Sequence, residues 1–239
     1  PMALKPQPVA FYPLGDNSAS NPLTQPNEAV EDASVFDFVS SSSQYIDCGD
    51  NDAFSFGNGT TDEAFSVSAW IKMDTITNFV VLSKYGASGS LREYAIGFSP
   101  DKIYLLLYDD NGAYRGRYYN TSTTSNDWMH ITTTYNGVGG TNAQDGIKIY
   151  INGIRVDDST FTSGSYTAMS NTTSELRIGS FSTTYADGKI SNAQIWQAEL
   201  SSTEVTTLYN SGVPLTGTQP QASNLKAWYK VDQPANWEA

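Results

Sequence analysis

Apolar and polar residues alternate along most of this chain. From Phe65 to Lys72, the residues Phe65, Val67, Ala69 and Ile71 fall on one side and Ser66, Ser68 and Trp70 on the other. A period of two belongs to a strand with one face in a core, so Trp70 is expected on the opposite side of the sheet. Short runs of the same kind predict strands at Val35–Phe38, Tyr45–Cys48, Phe79–Ser83, Glu93–Phe98, Lys102–Tyr108, Ala113–Tyr119, Trp128–Tyr135 and Leu176–Ile178. Turn clusters such as Asp109-Asp110-Asn111-Gly112 separate them. A first strand is read at Val9–Tyr12 and a last one at Leu225–Val231. Ile147–Ile151 and Ile154–Val156 flank Asn152-Gly153, a pair that accepts the two positive φ angles of a type I′ hairpin turn.

The stretch from Gly188 to Gly212 breaks this rhythm. Its first part is a strand, with Ser191, Ala193 and Ile195 expected on one face and Ile190, Asn192, Gln194 and Trp196 on the other. A helix follows. Ser201 and Glu204 have the spacing of a capping box, Val205, Leu208 and Tyr209 recur at helical intervals, and Gly212 with Pro214 forms the stop.

At 239 residues, the chain suits one large β domain. Its formal net charge of -12 argues against nucleic acid and anionic membrane, both of which attract clustered Lys and Arg. No apolar run reaches the ~20 residues of a membrane span, and the opening residues Pro1 to Pro6 lead into no signal-type apolar segment. The lone Cys48 excludes an internal disulfide and reads as a small buried hydrophobe. Residues 1–213 are expected to form the domain, with 214–239 as a linker and final strand. Ala10-Phe11-Tyr12 with Asp16 echoes Ala227-Trp228-Tyr229 with Asp232. The echo leaves open two edge strands of one domain or the start of a second module.

Five blocks in fixed order carry a family resemblance: Gln44-Tyr45-Ile46-Asp47; Phe65 to Lys72; Trp128-Met129-His130-Ile131 leading to Tyr135-Asn136-Gly137; Ile149 to Gly153; and Gly188 to Gly212 following Leu176-Arg177-Ile178-Gly179. Over residues 9–213 the chain resembles a laminin-G-like domain of the concanavalin A-like lectin/glucanase superfamily, in its pentraxin-like, bacterial or viral branch. The resemblance implies an all-β jelly-roll sandwich of two curved antiparallel sheets with one short helix near the C-terminal part. Many short strands with regular turn signals agree with that.

Such folds serve lectins, adhesion modules, virion proteins, glycosidases and lyases, so the fold does not assign the function. The family's hydrolases resemble E-x-D-x-x-E or E-x-D-x-E on one strand, and no segment here has that pattern. The single histidine, His130, lies inside a strand and is expected to be structural. A non-catalytic carbohydrate-binding or adhesion module of a larger extracellular or virion-surface protein is therefore expected. A structural or decoration domain of a fibre, capsid or surface layer, in contact with other subunits, is the alternative.

Tyr and Arg concentrate between Tyr85 and Tyr119. Tyr85, Arg92, Tyr94, Tyr114, Arg117 and Tyr119 are the expected ligand-binding residues, the rings for sugar faces and the guanidinium groups for carboxylate or sulfate of an acidic glycan. Calcium is the metal to expect, because oxygen ligands abound where Cys and His are scarce. The pentraxin-like pattern has acidic ligands after the strand at Leu176–Ile178, where this chain reads Gly179-Ser180-Phe181-Ser182. Asp16, Asn17 and Asp187 are the candidate ligands instead.

Overall fold

The computed structural model describes residues 35–86, 91–121 and 126–230. The strand expected at Val9–Tyr12, the candidate ligands Asp16 and Asn17, and the end of the last strand at Val231 lie outside the described residues.

Two antiparallel sheets of seven strands each enclose the core. The first runs in the order β1 (Phe36–Phe38), β15 (Gly188–Trp196), β3 (Phe65–Met73), β8 (Trp128–Tyr135), β9 (Ile147–Ile151) and β10 (Ile154–Arg155), with β16 (Leu225–Tyr229) also paired to β15. The second runs β11 (Ser159–Ser163), β7 (Tyr114–Asn120), β6 (Lys102–Tyr108), β5 (Arg92–Ser99), β4 (Phe79–Tyr85), β12 (Leu176–Ile178) and β2 (Ile46–Asp47). A small ribbon of β13 (Ser180–Phe181) and β14 (Thr184–Tyr185) lies beside β4. This is the jelly-roll sandwich, with one short α-helix among the described residues, α1 (Ser202–Tyr209).

The period-two pattern fixes which residues meet between the sheets. Phe65, Val67, Ala69 and Ile71 from β3 join Ile96 and Phe98 from β5 and Ile103, Leu105 and Leu107 from β6 in one buried cluster. Phe65 stacks on Phe56 at 4.5 Å and meets Tyr135 edge-on at 5.9 Å. Trp70 points the other way, as its parity requires. There it joins Trp128 and Tyr209, while Tyr150, Trp196, Leu200, Val205 and Leu208 form a second buried group under α1. The outer face of the first sheet is thus covered by the chain itself.

The local signals produce the expected elements. Ser201 Oγ accepts from the Glu204 amide and the Glu204 carboxylate accepts from the Ser201 amide, completing the capping box. Asn152 and Gly153 adopt φ of 51° and 79° at the β9–β10 turn. The last strand pairs Ala193↔Tyr229 and Ile195↔Ala227 within the first sheet.

The face assignment in β15 needs correction. Pairing with β3 shifts between Ser191 and Gln194, and Asn192 has a left-handed φ of 49°. This bulge adds one residue and reverses the alternation. Ile190 therefore shares the core with Ala193 and Ile195 instead of facing away from them. The strand β11 was not expected at all: Ser-Thr-Phe-Thr-Ser has little apolar signal, and it forms by pairing along β7 at a sheet edge.

Candidate functional site

The outer face of the second sheet carries the candidate site. On β6 the odd residues enter the core, which turns Tyr104, Leu106 and Tyr108 outward. Across the ladder, Tyr108 pairs with Tyr114 and Tyr104 with Tyr118. Two groups of rings result. Phe181, Tyr85, Tyr108 and Tyr114 are in serial contact, with centroid separations of 4.3, 5.2 and 5.7 Å. Tyr118 packs on Phe161 at 4.3 Å, and the Lys102 ammonium lies 5.7 Å from the Tyr118 ring. Between them, Gly97 lets Tyr104 lie close to the sheet: a Cβ there would come within 3.0 Å of the Tyr104 hydroxyl and 2.6 Å of the Phe79 carbonyl oxygen. Burial pushes the Tyr104 phenol up to about 12.

Arg92 reaches this face through a second bulge. Lys84 pairs with Tyr94 but Tyr85 pairs with Arg92, which leaves Glu93 as the extra residue of β5. The guanidinium of Arg92 lies 5.2 Å from the Tyr85 ring centroid, a cation–π arrangement. It forms no ion pair with another described residue, and its Nε is buried without a hydrogen-bond partner among them. The Tyr108 phenol beside it is raised by burial, with Arg92 opposing the shift. A half-buried guanidinium over the Tyr85 ring, without a carboxylate partner among the described residues, can accept an anionic or hydroxylated ligand.

Of the six expected ligand residues, the structure brings together Tyr85, Arg92 and Tyr114. The other three lie elsewhere. Tyr94 is fully buried between the sheets and donates to the Phe54 carbonyl at 2.9 Å. Tyr119 packs against the core from β7. Arg117, also on the inward parity, pairs with Asp157 at 2.8 Å. Its neighbour Arg115 donates to the carbonyl oxygens of Thr141, Tyr114, Ser163 and Gly164. Density of Tyr and Arg marked the region in the sequence, but only strand parity and the Glu93 bulge sort the residues by face. Tyr108, from the same Tyr-rich stretch, joins the site, and Phe161 and Phe181 were missed. The parity of β6 signals Tyr108, whereas Phe161 and Phe181 lie on elements with too little apolar pattern to read.

Asp187 is the described member of the expected calcium set. Its Oδ1 accepts from the Ser40 amide and hydroxyl, both at 3.1 Å, and its Oδ2 from the Thr75 hydroxyl at 3.4 Å. It ties two loops together, and among the described residues no three His, Cys, Asp or Glu side chains converge as a metal group. A calcium ion at Asp187 would have to displace these donors.

His130 is fully buried, with its Nε2 2.8 Å from Ser68 Oγ. Thr132 donates to that same Oγ at 3.2 Å, which leaves the Ser68 hydroxyl to donate to Nε2. The ring proton then sits on Nδ1, which has no partner among the described residues. A serine nucleophile uses this same tautomer but needs an acid on Nδ1 and access to substrate; here Nδ1 has no acid partner among the described residues, and Ser68 and His130 are both buried.

A shallow groove of about 710 Å³ opens on another side, between the β9–β10 turn and α1, lined by Asn152, Ile154, Thr203, Thr206, Tyr209 and Ser211 among others. Among the described residues, no helix is long and apolar enough to cross a membrane.

The family model for the concanavalin A-like lectin/glucanases superfamily, laminin G type, matches residues 40–206. A search of curated proteins returns no match. The binding domain of botulinum neurotoxin serotype G superposes with a TM-score of 0.51 at 18% identity, covering 70% of this chain and 40% of that one. The botulinum neurotoxin serotype D ligand-binding domain, solved in complex with N-acetylneuraminic acid, superposes with a TM-score of 0.46 at 19% identity, covering 64% and 40%. The chain thus spans about two-fifths of the length of these structures, and at such identity the likeness is one of fold. The matched family model covers more than two-thirds of the sequence and includes strands of both sheets together with most of α1: this chain belongs to the concanavalin A-like lectin/glucanases superfamily.

Proposed function

We propose that the chain is a non-catalytic carbohydrate-binding module that docks an acidic glycan on the outer face of its second sheet. The Arg92 guanidinium beside Tyr85, with no ion pair among the described residues, is the observation that carries this reading. Tyr85 and Tyr114, packed on either side of the buried Tyr108, offer ring faces and phenol groups to a sugar, and Arg92 offers paired N–H donors to its carboxylate or sulfate. Membership of a lectin-like superfamily supports a binding role, and the burial of Ser68 and His130, with no acid on His130 Nδ1 among the described residues, supports a reading without serine-based catalysis. The setting we propose is extracellular or on a virion surface, as part of a larger protein. Calcium belongs to the same proposal, through Asp187 with Asp16 and Asn17.

The alternative, a structural or decoration domain in contact with other subunits, draws support from the end of the first sheet. The short strand β10 has one described partner strand, and Ile154 on it is 68% exposed.

Glycan-array binding followed by calorimetry, each with calcium and with chelator, tests these readings. Binding to sialylated or sulfated glycans that falls at least tenfold in Arg92→Gln, with folding intact, is the expected result. Loss of binding in chelator would support the calcium site. No glycan binding by the folded chain, with self-association that Ile154→Asp abolishes, would replace the lectin reading by the structural one.

A further inference from the structure

At the end of the core nearest Asp50, a lysine ammonium sits in a cage of oxygen atoms. Lys84 is fully buried on β4, and its Nζ lies 2.9 Å from Asp50 Oδ1, 3.0 Å from Glu93 Oε1, 3.1 Å from the Thr172 carbonyl and 2.6 Å from the Ser174 carbonyl. The oxygens come from the segment after β2, the Glu93 bulge and the loop before β12. Two carboxylates and two carbonyls are hard ligands, the set that binds calcium.

Two features suit a metal better than the ammonium. Glu93 Oε1 accepts from Thr172 N, Thr172 Oγ1 and Ser55 Oγ as well as facing Lys84, yet Glu93 Oε2 is buried without a hydrogen-bond partner among the described residues. A bidentate cation would engage that second oxygen. One positive charge also faces two carboxylates, where a divalent ion would balance both. Asp50 is 35% exposed, so the cage has an opening to solvent.

We propose that this cage is a divalent-cation site in which the Lys84 ammonium stands in place of calcium, and that removing the ammonium opens the site to calcium. Asp50, Glu93 and the carbonyls of Thr172 and Ser174 would then supply the ligands, with water in the space left by the lysine stem. Calcium–oxygen distances of about 2.3–2.6 Å require the oxygens to close in by a few tenths of an ångström. The native chain keeps its loop at 172–174 in place at any calcium concentration, because its cation is covalently attached. This inference is independent of glycan binding and of any calcium at Asp187.

The test compares the native chain with Lys84→Ala, Lys84→Met and the double variant Lys84→Ala/Asp50→Asn, using calcium titration calorimetry and melting in chelator or millimolar calcium. Lys84→Ala is expected to take up one calcium per chain more than the native protein and to regain at least about 2–4 °C of Tm in calcium. The Asp50→Asn change is expected to remove the added equivalent. Lys84→Met, which fills the space without charge, is expected to melt alike in both solutions. If Lys84→Ala is unfolded in chelator, refolding on addition of calcium supports the proposal and failure to refold overturns it. Native stoichiometry together with calcium-insensitive melting of Lys84→Ala also overturns it.

Discussion

Ser68 Oγ and His130 Nε2 lie 2.8 Å apart on neighbouring strands, buried on the outer side of the first sheet. The His130 ring is 5.1 Å from Trp70 and 6.0 Å from Tyr209. Burial lowers the imidazole pKa to about 3 from its usual 6.5. The folded chain therefore holds this histidine neutral, while the unfolded chain protonates it below pH 6.5. Its contribution to stability is complete above that pH and is lost progressively as the pH falls towards 3. In chemical denaturation, the stability of the native protein relative to His130→Gln should fall by about 1.4 kcal/mol per pH unit between pH 6 and pH 4. Parallel profiles would show that His130 carries no such linkage.

Arg117 and Arg92 should separate in their effects. Arg117→Ala removes a partner of Asp157, which is 1% exposed and keeps its bonds to Arg155 and to the Ile149 amide. A loss of roughly 1–2 kcal/mol of stability is expected, with glycan affinity unchanged. Calorimetry on the two variants checks this, and an affinity loss in Arg117→Ala would move the ligand towards the β7–β9 side.

The helix depends on its cap. Ser201→Ala should cost about 1 kcal/mol, measured by denaturant midpoint, because the Glu204 amide loses its acceptor. Ser201→Asp should restore most of it. Since α1 covers Trp196 and Tyr150, quenching of tryptophan fluorescence by iodide should rise in Ser201→Ala.

Cys48 packs at the edge of the core, and burial raises its thiol pKa to about 11, with a hydrogen bond from Tyr229 opposing the shift. At pH 8 it should react with iodoacetamide at least tenfold more slowly in the folded chain than in denaturant. Tyr229→Phe should slow it further in the fold, since one group favouring the thiolate is lost.

A cavity at Phe65 should be costly. The side chain is fully buried between Phe56, Tyr94 and Tyr135, so Phe65→Ala should lose about 3–5 kcal/mol, read as a fall in denaturant midpoint at constant slope.

Sequence by itself determined the features that neighbouring residues decide. The Ser201–Glu204 box, the Asn152-Gly153 turn and the two faces of β3 rest on local geometry, and the ordered blocks named the family. Those signals survive because a cap, a tight turn or an unbroken alternation needs no distant partner to define it. Tertiary structure decided which side several strands present. Bulges at Asn192 and Glu93 each add a residue, and they exist only against the partner strands β3 and β4. The second one sends Arg92 out to Tyr85 while Tyr94 turns into the core, although the two residues share parity in the sequence. Pairing along β7 likewise made a strand of Ser159–Ser163 from a polar segment. Three distant segments placed their oxygens around Lys84, and such a cage is a property of long-range packing that no local pattern encodes.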